Sequence, residues 1–286
     1  MVSLEKNQAS VLRVREFHFT DNDFEQVRQL IYEHAGISLA PIKRDMVYAR
    51  LARRLRALGF QRFSDYLELL QREQSGEREF FINALTTNLT SFFREAHHFQ
   101  VLADYLQAFP KTSPVRIWCA AASTGEEPYS LAMTACEVFN TLSPPVTILA
   151  TDIDTHVLAT ASQGVYPLER VESLSPERLR TFFQKGAGRQ LGNARVRPAL
   201  QRLIQFSRLN LLDKHYALHE PFDVIFCRNV MIYFDRPTQY QILQKFMPLL
   251  QENGLLFAGH SENFVHAADL FRSLGKTVYE RADRVR

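Results

Sequence analysis

Apolar residues in the first part of the chain recur at helical spacing, whereas beyond about residue 90 short apolar runs alternate with helically spaced ones. DFEQVRQLIYEHAG carries Phe24, Val27, Leu30 and Ile31 at that spacing, with Thr20 and Asp21 before it and Gly36 as its stop. A second helix runs from about Lys43 to Leu58 and stops at Gly59. At roughly 100° per residue, Val47, Leu51, Leu55 and Leu58 share one of its faces. Helices around FSDYLELLQR (Phe63–Arg72) and from Glu77 to Leu89 complete a small bundle, and NALTTNLTSFFREAHHF marks its boundary. The first dozen or so residues have no evident partner and are expected to be disordered.

Past that boundary the alternation predicts an α/β fold. Val115, Ile117 and Trp118 form a short strand, and the small residues Ala120 to Ser123 make a tight turn. Gly125, Glu126, Glu127 and Pro128 then start a helix. VTILATDID (Val146–Asp154) is a second strand ending in Asp152 and Asp154, followed by the helix THVLATASQ with Gly164 as its stop. Residues 165–200 break the pattern, with one short helix and then Gly186, Gly188 and Gly192. They predict a small β-rich insertion built on a hairpin, with an ordinary loop as the alternative. LIQFSRLNLLD (Leu203–Asp213) and FDVIFCRNVMIYF (Phe222–Phe234) resume the sheet, each with polar residues after its apolar strand. The helix PTQYQILQKFMPLL follows, Gly254 leads into the strand LLFAGHSEN, and KTVYERA is expected to be an edge strand. The expected division is a helical domain over 1–90 and an α/β domain over 91–286.

Composition changes this picture little. The chain is 46% apolar and 23% charged, as ordinary globular proteins are. No apolar run approaches a membrane span of roughly 20 residues, so a cytoplasmic protein without membrane insertion is expected. Cys119, Cys136 and Cys227 lack metal spacing and read as reduced core thiols. His97 and His98 diverge on a helix and have no further ligands nearby at suitable spacing, so no metal is expected. A net charge of +3 does not by itself indicate nucleic acid, but its distribution is uneven. Between Lys43 and Arg62, Lys43, Arg44, Arg50, Arg53, Arg54, Arg56 and Arg62 face a single acid, Asp45. The helix there is expected to dock by its leucines and present a row of guanidiniums. That row is either a solvated face or a surface for an acidic partner.

The turn after the first strand carries the chemical clue. A phosphate-binding turn offers bare N–H groups to an anion, yet Glu126 and Glu127 occupy this helix start. A ligand with hydroxyls, an ammonium group and a cationic centre fits, as S-adenosylmethionine (SAM) does and a pyrophosphate does not. Asp152 and Asp154, just past the next strand, are placed to receive ribose hydroxyls. Asn210, Arg228, Asn229 and Tyr233 follow later strands, where such folds put their ligand sites. A plain helix cap is the alternative for the turn itself.

NALTTNLTSFFREAHHF, AASTGEEPYSLA, ATDID, FSRLNLL, FCRNVMIYF and GLLFAGHSENF, in this order, resemble the CheR family of bacterial chemotaxis receptor methyltransferases. The resemblance spans nearly the whole chain, including the basic helix. It implies an all-α domain followed by a Rossmann-like class I SAM-dependent methyltransferase domain with a small antiparallel β insertion. The implied activity is methyl esterification of glutamates on the cytoplasmic helices of chemoreceptors. The implied SAM site uses Asn88, Thr90, Arg94, Glu127, Asp152, Asn210, Leu211, Arg228 and Asn229, with Tyr233 near the transferred methyl and Arg94 holding carboxylates. Arg50, Arg53, Arg54 and Arg56 then face the receptor, and Gly186, Gly188, Gly192 and Arg195 dock its C-terminal peptide. A monomer is expected. A nucleic-acid methyltransferase, an inactive adaptor and an NAD dehydrogenase are the competing readings, the last disfavoured by the acidic turn.

Overall fold

The structure is a computed structural model describing residues 15–72, 76–110, 114–218 and 220–283, so the expected disorder of the first dozen residues lies outside the described residues. Helix α1 (Asp21–Ala35) starts at a reciprocal cap: Thr20 Oγ1 accepts from the Asp23 N–H, and the Asp23 carboxylate accepts from the Thr20 N–H. Helices α2 (Arg44–Leu58), α3 (Phe63–Gln71) and α4 (Glu77–Leu85) pack with it. Val27, Ile31, Val47, Leu51, Leu55, Phe63 and Tyr66 are fully buried at their centre. Each contributes about 1.5–3 kcal/mol by leaving water. Two expectations are corrected here. Leu58 is 39% exposed, because the apolar face of α2 ends one turn earlier, at Leu55. The fourth helix stops at Leu85 rather than Leu89, freeing residues 86–96 to run as a loop.

The second part opens with α5 (His97–Gln107), β1 (Val115–Cys119), α6 (Glu126–Phe139), β2 (Val146–Asp152) and α7 (Thr155–Gln163). A three-stranded antiparallel sheet follows, made of β3 (Val165–Pro167), β4 (Phe183–Lys185) and β5 (Asn193–Val196), with β5 in the middle. Two helices, α8 (Leu168–Val171) and α9 (Pro176–Phe182), join β3 to β4, where the sequence suggested only one. Then come α10 (Pro198–Gln201), β6 (Ile204–Arg208), β7 (Phe222–Cys227), α11 (Arg236–Phe246), β8 (Leu250–Ala258), β9 (Phe271–Gly275) and β10 (Val278–Arg281).

The main sheet has the order β6-β2-β1-β7-β8-β10-β9. Its first five strands are parallel, and β10 runs antiparallel to both of its neighbours. KTVYERA is therefore an inner strand, and the edge is the unforeseen β9. Strand β8 likewise begins at Leu250 and runs through Gly254 rather than starting after it. From β1 the chain passes to β2 and β6 on one side and returns through β7 and β8 on the other. Strand order thus reverses between β1 and β7, and the crevice past their carboxyl ends is where open α/β sheets bind ligands. All three cysteines are buried free thiols. Among the described residues no helix is long and apolar enough to cross a membrane.

Candidate active site

The turn after β1 is fixed by backbone bonds to β2. The Ala122 N–H donates to Thr151 O (2.9 Å) and the Ser123 N–H to the Asp152 carboxylate (2.8 Å). Ser123 and Gly125 both lie at positive φ, +48° and +100°. Gly125 is required twice over, since a Cβ there would sit 2.7 Å from the Tyr166 hydroxyl and 2.8 Å from Ala161 Cβ. The two glutamates of the helix start then diverge. Glu126 is fully buried, accepts from Thr124 Oγ1 and pairs with Arg170 at 2.8 Å. Glu127 lines a cavity at the carboxyl ends of the strands.

That cavity measures about 470 Å³. Asn88, Thr90, Arg94, Glu127, Asp152, Asn210, Leu211, Arg228, Asn229 and Tyr233 all line it, together with Arg50 of α2. Arg53, Arg54, Arg56, Gly186, Gly188, Gly192 and Arg195 do not. Both halves of the chain contribute walls, and their contacts are specific. Asn210 Nδ2 donates to His34 O (2.8 Å), the Ser38 N–H to Tyr233 O (2.9 Å), and the Tyr32 hydroxyl to Asp235 (2.8 Å). Asn88 Nδ2 and the Thr86 hydroxyl both donate to Asp154, at 2.9 Å. Asp154 therefore caps α7 and anchors the 86–96 loop, so that of the two aspartates it is Asp152 that lines the cavity.

Arg228 is the buried centre of the site. Its side chain is fully buried and pairs with Glu127 at 2.6 Å and Glu95 at 3.1 Å, while Nη2 also donates to Arg94 O (2.6 Å). Burial opposes its charge, but the two carboxylates outweigh burial and keep it a cation. Glu95 also feels burial, yet Arg228 and the Asn229 amide hold its carboxyl below the usual range. Burial pushes Glu127 up despite Arg228 and the Cys119 thiol. His98, buried behind Glu95 and bonded to Lys276 O (2.8 Å), is pushed down to about 4 by burial and by Arg228. It is neutral at pH 7. Glu95 and His98 were not foreseen as site residues, although both stand in the REAHHF run.

Asp152 is 8% exposed, and burial pushes its carboxyl up to about 6 against the pull of the Asp154 and Ser123 N–H groups. The buried Ser123 hydroxyl has no protein partner among the described residues, and it stands with the Asp152 carboxylate on a wall otherwise made of Ala120 and Ala121. The two hydroxyls of a ribose would fit both groups. The acidic helix start and the absence of side-chain bulk fit an adenosyl sulfonium in the same way.

A doubly wound sheet whose switch-point cavity is lined by Glu127 and Asp152 has the form of a class I SAM-dependent methyltransferase, here with a helical domain in front. Residues 22–86 match the family model described as CheR methyltransferase, all-alpha domain, and residues 88–280 match CheR methyltransferase, SAM binding domain. The chain is 53% identical over 269 residues to chemotaxis protein methyltransferase 2 of Pseudomonas aeruginosa, covering 94% of this chain and 96% of that protein. It is 53% identical to the chemotaxis protein methyltransferase of Escherichia coli K12, covering 91% of each. For the Salmonella typhimurium protein of that name the identity is 51%, over 97% of this chain and 96% of the other. The chain belongs to the CheR family, and it is a SAM-dependent methyltransferase of chemotaxis.

The arginines of the basic helix divide into two kinds. Arg54 makes a bidentate pair with the buried Glu77 and stacks over Phe80 (3.9 Å), and Arg56 pairs with Glu16 at 2.7 Å. Arg50 turns inward and donates to Leu85 O (3.1 Å) and Thr86 O (2.7 Å), which holds the loop start against α2. Arg53 is exposed and has no hydrogen-bond or ion-pair partner among the described residues. Arg50 and Arg54 thus hold the fold, while Arg53 and Arg56 stay on the exposed face. Arg54→Ala is expected to destabilise the bundle by about 2–4 kcal/mol by removing the cation paired with the buried Glu77 carboxylate. Arg53→Glu is expected to leave stability within about 0.5 kcal/mol of the parent. Denaturant unfolding of both variants checks the contrast.

Proposed function

We propose that this methyltransferase esterifies glutamate side chains on the cytoplasmic helices of chemoreceptors, as part of adaptation in chemotaxis. The observation that carries the reading is the make-up of the cavity's mouth. The exposed Lys43, the aliphatic Leu89 (75% exposed) and Ile232 (51% exposed), and the half-buried Arg94 and Tyr233 all line it. A carboxylate flanked by aliphatic side chains, as on an amphipathic helix, matches that mixture.

SAM, when bound, supplies a methyl group already activated on its sulfonium. The acceptor is ionised at neutral pH, since a glutamate has a pKa near 4.3, so it requires no general base. What the chain supplies is position and exclusion of water. Asp152 receives ribose hydroxyls, and Glu127, held by Arg228, faces the cationic end of the ligand. Arg94, whose Nη1 donates to Leu89 O (2.7 Å), orients carboxylates. Charge disappears as the ester forms, so a cation fixed on the nucleophile would favour the bound substrate over the transition state. Arg94 is accordingly a positioner. The Tyr233 hydroxyl, which has no protein partner among the described residues, orients the acceptor.

A second contact is proposed for the receptor's C-terminal peptide. Strand β4 has a free edge opposite β5, on which an extended peptide adds as a further strand. The exposed Arg195 lies on the central strand of that sheet. Gly186 sits in the turn beyond β4, where its N–H donates to Asn193 O (2.8 Å). Action in the cytoplasm as a monomer belongs to the same reading. The test supplies labelled SAM with a soluble cytoplasmic receptor fragment or with nucleic acid. Label on the receptor fragment alone is expected, and label on nucleic acid overturns the proposal.

A further inference from the structure

The GHSENF segment adjoins the site, its His260 N–H donating to Glu95 Oε2 (3.0 Å), and Glu262 within it is 4% exposed and carries a converging set of bonds. Its Oε2 accepts from the N–H groups of Gly259 (2.5 Å) and Asn229 (2.9 Å), and its Oε1 accepts from the Ile232 N–H (3.2 Å). One carboxylate therefore joins the end of β8 to the segment that leaves β7. That segment runs from Arg228, bound to Glu127, to Tyr233 in the 3-10 turn Met231–Tyr233. Asn229 stands at φ +58°, a conformation that a non-glycine residue keeps only when its surroundings hold it. Glu262 holds its backbone through the Asn229 N–H, while Glu95 Oε1 accepts from its side-chain amide (3.2 Å). Gly259 completes the hold, since a Cβ there would lie 2.4 Å from Asn229 Nδ2 and 2.8 Å from Asn229 N. The far end of the segment is pinned separately, by the Ser38 N–H on Tyr233 O and by Gln239 Nε2 on Met231 O (2.9 Å) and Phe234 O (3.0 Å).

We propose that Glu262 is a positioning residue for methyl transfer, setting through Asn229 and Ile232 the turn that places the Tyr233 hydroxyl in the cavity. The proposal rests on the reading of Tyr233 as the residue that orients the acceptor. A carboxylate is required because three N–H donors converge on two oxygens. Glutamine keeps the shape but turns an NH2 group toward at least one of those donors.

The test is a double-variant cycle of Glu262→Gln and Tyr233→Phe. It reads kcat with SAM and a receptor fragment, S-adenosylhomocysteine affinity by calorimetry, and thermal unfolding as the fold control. Glu262→Gln is expected to lower kcat on the order of tenfold or more, as misplacement of a reacting group does. Its affinity for S-adenosylhomocysteine is expected to stay within about threefold of the parent, and in the Tyr233→Phe background it is expected to change kcat by less than about threefold. Equal kcat losses in both backgrounds, or an affinity loss matching the kcat loss, would reduce Glu262 to a general structural role and overturn the proposal. A parental kcat in Glu262→Gln overturns it too. A parental kcat in Tyr233→Phe alone overturns the reading of Tyr233 instead, and is separable because that variant leaves Glu262 intact.

Discussion

Arg228→Met is expected to lower the unfolding free energy by about 3–5 kcal/mol, the usual consequence of stranding one side of a buried ion pair. The methionine fills most of the space, so the loss reports charge rather than volume. Arg228 neutralises Glu127, itself 8% exposed, and bonds Glu95 at 3.1 Å. Without it both carboxylates face an apolar interior that already pushes Glu127 up. Two further results separate this account from a packing defect. Protonating Glu127 relieves the stranded charge, so the penalty shrinks as pH falls. Adding Glu127→Gln recovers part of the stability for the same reason. Denaturant unfolding at pH 5 and 7.5, with an unchanged denaturant slope, is the measurement.

Asp152→Ala is expected to weaken S-adenosylhomocysteine binding roughly a hundredfold or more, from the loss of two charge-assisted hydrogen bonds. The raised pKa adds a pH signature. Between the ordinary carboxylate value near 4 and the folded value of about 6, the free folded chain holds a proton that the unfolded chain has released. Rising pH through that window therefore lowers the stability of the free protein. Binding has the opposite dependence. In the proposed binding mode ribose hydroxyls donate to the ionised carboxylate, so affinity is expected to fall below pH 6, approaching tenfold per pH unit. Calorimetry across pH 5 to 7.5 should show proton release on binding at the acid end, and Asp152→Asn should show a flat profile.

What the chain revealed in sequence depended on how local each signal was. Gly125, the two glutamates and Pro128 are neighbours, so the helix start and its unsuitability for phosphate could be read directly. The apolar strands β1, β2 and β7 were equally plain. Arg54 was misread because its partner, Glu77, lies 23 residues away on another helix. Leu58 was misread because helical spacing shows a face without showing where the neighbouring helix ends. Strand β9, FRSLG, has only Phe271 buried, so it lacked the alternation of a half-buried strand, and β10 was consequently taken for the edge. Glu262 gave no chemical signal, since its partners are backbone N–H groups that carry no residue type. Glu127, Asp152, Asn210, Arg228, Asn229 and Tyr233 were legible from their places past the strands, the order of motifs added Asn88, Thr90, Arg94 and Leu211, and one cavity unites the two groups.

The central claim, transfer of a methyl group from SAM to receptor glutamates, is tested most directly by incubating the protein with methyl-labelled SAM and receptor-containing membranes. Mass spectrometry of the receptor's cytoplasmic helices then locates the label. The account predicts single methyl groups on glutamate side chains, released as methanol by mild base and strongly diminished with Asp152→Ala at SAM concentrations that saturate the parent. Base-stable label on other residue types, or label confined to nucleic acid, would contradict it.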